Sequence, residues 1–222
     1  MQDQWSSSRM SLVERELEIV QAIDRIRDTM PVPEAMFAGI VGVLADRFQM
    51  DVCLLYLLNR ETAALELKAV NDRGSGWSLG SDELSSLARQ AMHGEEVAIW
   101  RAEDVLSKDV LQGLASAVQL VTIPIVMFEP LGVVLMARAG LPFEADEVEL
   151  LKAAETQMDS AVIQAYTYHD LVQRNKELET IYRVDHIRDQ NLPFDEMLNA
   201  ALQGLCSVVN AEAGVVLSLI HI

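Results

Sequence analysis

Three aromatic residues and three polar ones carry what chemistry this chain offers: Tyr56, Trp77 and Trp100, with Arg101, Asp104 and Thr122 spaced along the same stretch. Flat rings beside a few fixed donors and acceptors suit a pocket for a planar small molecule. The nucleophilic and metal-ligating residue types are thinly spread. Cys53 and Cys206 form no CxxC pair, and His93, His169, His186 and His221 have no ligand spacing between them. Two such isolated thiols fit a reducing compartment. Cys53 falls inside an apolar run and reads as a small core residue. His93 stands at the end of a helical pattern, where a cation is favoured by the helix dipole. The loop Gly74-Ser-Gly-Trp-Ser-Leu-Gly80 misses the dinucleotide-binding spacing and lacks a parallel βαβ context, so it is expected to be a flexible lid or linker.

The 222 residues carry a formal charge of −17, which argues against a nucleic-acid partner, because neutralising phosphates needs a basic face. No apolar run approaches the ~20 residues that span a bilayer. The first eleven residues are polar and lack the apolar centre of a signal peptide. A cytoplasmic protein without a membrane partner is therefore expected.

The elements that must position these residues follow from hydrophobic period. Leu12, Ile19, Ile23, Ile26 and Met30 mark one face of a helix over residues 11–30, ended by Pro31 and Pro33. A second helix is predicted over 34–48, with Met36, Ile40, Val43 and Leu44 inward. A strand over 52–58 turns through 59–62 into a partner whose Leu65, Leu67 and Ala69 alternate with polar neighbours. After the glycine-rich loop, capped at Ser81 or Asp82, come a helix over 83–93, a short strand over 96–100 and an irregular helical segment over 103–114. Strands over 120–127 and 132–138 follow, with Pro124 marking an edge or bulge in the first.

From residue 144 to 191 the pattern stays helical, which at 1.5 Å per residue is a rod of roughly 65 Å. Leu151, Met158, Ala165 and Val172 recur every seven residues, with Ala154, Ala161, Tyr168 and Asn175 between them. That heptad predicts a homodimer seam. His169-Asp170-Leu171 beside it lacks the basic residue, threonine and proline that follow a sensor-kinase phosphoacceptor histidine.

The chain also repeats itself. Residues 15–58 align without a gap on 176–219 at an offset of 161, and ten of the 44 positions are identical, among them Asp24/Asp185, Met36/Met197 and Leu44/Leu205. A second module is therefore expected to begin with a helix, a second helix and a strand.

The order of elements resembles the GAF domain family. Phe143 with Glu147 is similar to that family's Phe-x-x-x-acid opening of the last helix; 121–125 with 131–135 is similar to its two central strands; and His93-Gly94-Glu-Glu-Val97 is similar to the turn into its third strand. The resemblance implies an α+β fold: an antiparallel sheet of about six strands flanked by helices, with long terminal helices. It implies helices on one face and a small-molecule pocket on the other, under loops.

On this reading residues 1–30 are an N-terminal helix and 31–165 a sensory domain. Residues 166–191 are a signalling helix, and 192–222 the truncated start of a second GAF-like domain. The implied function is regulatory and not enzymatic: ligand occupancy relayed through a dimeric helical linker to a downstream output domain, or, alternatively, a ligand-free dimerisation module. No resident cofactor or metal is implied, only an unidentified effector. The cyclic-nucleotide-binding members carry an Asn-Lys pair that the module lacks, and Asp146-Glu147 stands one residue too close to Phe143. The bilin-binding members use a cysteine in a pocket loop, where this chain has none. The related sulfoxide-reducing enzymes need reactive cysteines there too.

Overall fold

The computed structural model describes residues 2–60, 62–74, 82–107, 118–190, 192–208 and 211–217, the side chains of 2–11 excepted. The chain divides into two compact units, Met1–Ala165 and Tyr166–Ile222. No helix among the described residues is long and apolar enough to cross a membrane.

In the first unit α1 (Gln2–Thr29) stops short of Pro31, and α2 (Pro33–Arg47) starts on Pro33, whose missing N–H is spare at a helix start. Then come β1 (Val52–Leu58), β2 (Leu65–Asp72), α3 (Asp82–Ala91), β3 (Ala98–Arg101), α4 (Ala102–Val105), β4 (Val118–Val126) and β5 (Pro130–Ala139). α5 (Ala145–Asp189) begins in this unit and continues into the second, which also holds α6 (Phe194–Val208).

The strands form one antiparallel sheet in the order β2-β1-β5-β4-β3. Five strands stand where the resemblance implied about six. The sequence itself carries five strand-like runs, and no further one appears among the described residues. Pro124 sits where β4 has lost one neighbour, since the pairing with β3 ends at Ala98↔Thr122. A bulge follows at Ile125/Val126. Gly132 is required where β5 crosses β1, because a Cβ there would collide with the carbonyl oxygen of Tyr56.

Alternation sorts the sheet into two apolar faces. Cys53, Leu55, Val121, Ile123, Val134 and Met136 share one, which α2 covers with Met36, Phe37, Ile40, Val41, Leu44 and Ala45, all buried. Ile19 and Ile23 of α1 and Leu151, Ala154, Met158, Ala161 and Val162 of α5 are buried in the same unit. Arg27 and Gln164 join α1 to α5 reciprocally: Arg27 Nε donates to Gln164 Oε1, and Gln164 Nε2 donates to the Arg27 carbonyl, both at 3.1 Å. The other face is not left to loops, contrary to the one-sided packing the resemblance implied. Leu84, Leu87, Ala88 and Ala91 of α3 and Ala102 of α4 pack there against Val52, Leu54, Leu120, Val133 and Leu135.

Candidate functional site

Cross-strand register decides which candidate residues meet. Residues directly opposite in an antiparallel pair point to the same face. Tyr56 lies opposite Val133, which lies opposite Pro124; Leu54 opposite Leu135, which faces Thr122 and then Ala98; Val52 opposite Ala137, which faces Leu120 and then Trp100. Tyr56, Thr122 and Trp100 therefore occupy adjacent rows on the face beneath α3 and α4. The Trp100 indole N–H donates to Thr122 Oγ1 at 3.2 Å, and the Thr122 hydroxyl points toward the Ala98 carbonyl at 3.5 Å.

Tyr56 is the outlier on this face. Its side chain is 3% exposed, and its hydroxyl is buried without a hydrogen bond among the described residues. Burial pushes the phenol pKa up; the Ser85 hydroxyl of α3 offsets part of that rise without meeting hydrogen-bond geometry. A buried hydroxyl left unsatisfied costs about 1–3 kcal/mol. Leu54, Leu84, Val133 and Leu135 belong to the same buried apolar cluster as its ring.

The remaining candidates do not join this cluster. Arg101 falls in the row of Gln119 and Arg138, hence on the opposite face, and is exposed. Asp104 is exposed on α4. Trp77 lies outside the described residues, as do Ser81 and most of the segment expected to be irregular helix over 103–114. Cys53 is fully buried in β1, and burial pushes its thiol pKa far up. Such a thiol is neither nucleophile nor attachment point. His93 is exposed in the turn after α3, and no group of three or more potential metal-ligating side chains converges among the described residues.

The heptad seam needs a larger correction. Leu151, Ala154, Met158 and Ala161 are fully buried and Ala165 is 7% exposed within a single chain, so these five belong to the core of the first unit. They have no surface left to offer a second copy. Only Tyr168 and Val172, both half-buried, and Asn175, exposed, lie on the open part of α5.

Sequence reasoning missed Arg138. Its side chain is 6% exposed and uses all five N–H groups: Nε donates to the Leu141 carbonyl, Nη1 to the Phe48 carbonyl and Glu147 Oε1, and Nη2 to the Pro142 carbonyl and Glu147 Oε2. The guanidinium also stacks 3.9 Å from the centre of the Phe143 ring. Both halves of the Phe143/Glu147 pattern thus close on one arginine, and hydrogen bonding from it holds the Glu147 carboxyl below the usual range. The available signal was a charge ending an apolar strand, followed nine residues later by an acid. Beside this clasp a cleft of about 100 Å³ is lined by Arg15, Ile19, Arg47, Phe48, Glu147 and Leu150. Its two free-looking cations are paired, Arg15 with Asp146 and Arg47 with Glu18.

The fold built on this sheet is similar to solved structures. The GAF domain of a phosphoenolpyruvate-protein phosphotransferase from Coxiella burnetii matches 71% of this chain and 98% of its own, with a TM-score of 0.53 at 16% identity. The GAF domain of a putative sensor histidine kinase from Pseudomonas syringae pv. tomato matches 78% and 99%, at 0.52 and 14%. The fold is that of a GAF domain. A free methionine-R-sulfoxide reductase from Neisseria meningitidis, solved with its substrate, matches 68% of this chain and 90% of its own at 0.52 and 14% identity. No protein-family profile matches the sequence, and no curated protein matches it.

Proposed function

We propose that the GAF unit is a sensory or regulatory module that binds a small, largely apolar effector on the sheet face beneath α3 and α4. The Tyr56 hydroxyl carries this reading. It is a buried polar group without a hydrogen-bond partner among the described residues, and a ligand able to hydrogen-bond there recovers the free energy lost in burying it. The Trp100 and Thr122 pair on the same face supplies a flat surface and a second polar edge. The regulatory assignment is supported by a buried, unreactive Cys53.

Output would travel along α5. Its first half is part of the GAF core and the same helix continues to Asp189, so a ligand that favours one packing of Leu151 and Met158 biases the helix leaving the unit. A homodimer through the exposed part of α5, and an output domain or partner protein beyond it, complete the proposed relay. The exposed Leu171, Leu178 and Ile181 support that pairing better than the buried heptad does.

The test is a thermal-shift screen of nucleosides, aromatic acids and amino acids. A ligand at 100 times its dissociation constant should add ~2.7 kcal/mol of stability. In Tyr56→Phe the shift from any hit should shrink while the unliganded protein melts at the same or a higher temperature. A hit that stabilises Tyr56→Phe and wild type equally would remove this site from consideration. A screen without hits supports the second reading, a ligand-free structural module, which the packing of Leu84, Leu120 and Leu135 across the same face favours.

A further inference from the structure

The repeat extends into the structure. At the offset of 161, α2 (Pro33–Arg47) falls on α6 (Phe194–Val208) with identical bounds and the same length of 15 residues. The six α2 residues buried against the first unit's sheet are Met36, Phe37, Ile40, Val41, Leu44 and Ala45. Their counterparts, Met197, Leu198, Ala201, Leu202, Leu205 and Cys206, are apolar without exception, and not one of them is buried. Leu205 is 47% exposed where Leu44 is 0%. The following segment repeats the contrast: Val215, Val216 and Leu217 are 78%, 50% and 90% exposed, whereas their counterparts Leu54, Leu55 and Tyr56 are buried in β1. The strand expected there is not formed among residues 211–217, because a strand needs a paired neighbour and the described residues of this unit supply none.

We infer that α6 is the sheet-covering helix of a second GAF-type module, and that its Met197, Leu198, Ala201, Leu202 and Leu205 face is built to receive an antiparallel β-sheet continuing from residues 213–217 of the same polypeptide. The occupant is specified by the interface already formed in the first unit. There, the same helix length and the same apolar positions lie on β1 and β2. A helix pair or a membrane would not call for the additional run of exposed Val215 and Val216 in register with a central strand. The inference rests on the repeat and on burial, independently of whether the first unit binds a ligand.

Cys206 is a reporter for this face, since its counterpart Ala45 is fully buried and Cys53 is shielded. In the 222-residue chain, Cys206 should react with a thiol reagent within about tenfold of the denatured rate. Replacing residues 211–222 by a copy of residues 50–165 keeps the 161 offset and supplies a GAF sheet. Labelling of Cys206 should then slow by about 100-fold, and Leu198→Asp with Leu205→Asp should restore it. Fast labelling of Cys206 in a fusion whose copied Cys53 is protected would overturn the proposal. So would protection of Cys206 in the 222-residue chain that rises with protein concentration, which would make a second copy the occupant. If the copied Cys53 labels at once, the graft has not folded and the 222-residue chain decides. There, Leu198→Asp with Leu205→Asp should leave the melting profile unchanged, and a lowered melting temperature would show the face already occupied.

Discussion

On the sheet face beneath α1, α2 and α5, Arg138 is buried and each of its five N–H groups has an acceptor; beneath α3 and α4, Tyr56 is as deeply buried and its hydroxyl has none among the described residues. Both faces are otherwise filled mainly by aliphatic side chains. The difference separates a structural polar group from a candidate functional one. Arg138 ties the end of α2, the loop after β5 and the first turn of α5 into one cross-link, and nothing is left over for a ligand. Tyr56 keeps an unused donor inside an apolar site, which packing alone does not reward.

The sharpest way to break the comparison is to remove the satisfied group. Arg138→Met should destabilise the first unit by about 3–5 kcal/mol, because it strands the Glu147 carboxylate and three backbone carbonyls in a largely dry setting. Chemical denaturation measures this directly, and a loss under ~1 kcal/mol would show the clasp to be ornamental. On the other face, Thr122→Val removes the acceptor of the Trp100 indole and should lower stability by about 1 kcal/mol. Its effect on any ligand found by the thermal screen should exceed its effect on folding.

The smallest expected effect is on pH dependence and sets the two ends of the α5 core segment against each other. Glu147 is held below the usual carboxylate range, so its stabilisation is present at neutral pH and is lost only as pH falls through that lowered value. Eight and twelve residues further on, the opposite holds. Glu155 is raised by burial, then by the nearby Asp159 and Glu96 charges, and Asp159 is raised by burial although it accepts a hydrogen bond from the Val126 N–H. Stability from these two is present in acid and is lost as pH rises through their raised values. The melting temperature should therefore climb slightly as pH is lowered from 7 toward the ordinary carboxylate value of about 4, then fall steeply below it. Glu155→Gln should flatten the climb, and Arg138→Met should abolish much of the fall.

Most elements are legible in the sequence because each is set by local chemistry. Prolines 31 and 33 separate α1 from α2, Gly140 with φ +84° ends β5 before α5, and the period of apolar residues distinguishes helix from strand. The heptad is ambiguous for an identifiable reason. Over the four turns from Leu151 to Ala165, a 3.5-residue repeat and a 3.6-residue repeat select nearly the same positions. The apolar stripe was correct, but whether it meets a second copy or its own domain is a tertiary fact.

The same division applies to the site. Tyr56, Thr122 and Trp100 could be proposed from residue type, yet only the β1-β5-β4-β3 register places them on one face and sends Arg101 to the other. Arg138 was in plain sight as a charge at a strand end, and only the fold brings Phe48, Leu141, Pro142 and Glu147 to it. What the sequence by itself determined was the run of elements, their apolar faces and the 161-residue repeat, all consequences of side-chain period and backbone chemistry acting over a few residues. What only the tertiary structure decided was which surface each apolar face covers and which buried polar groups find partners, because those depend on contacts between residues as far as 137 apart in the chain.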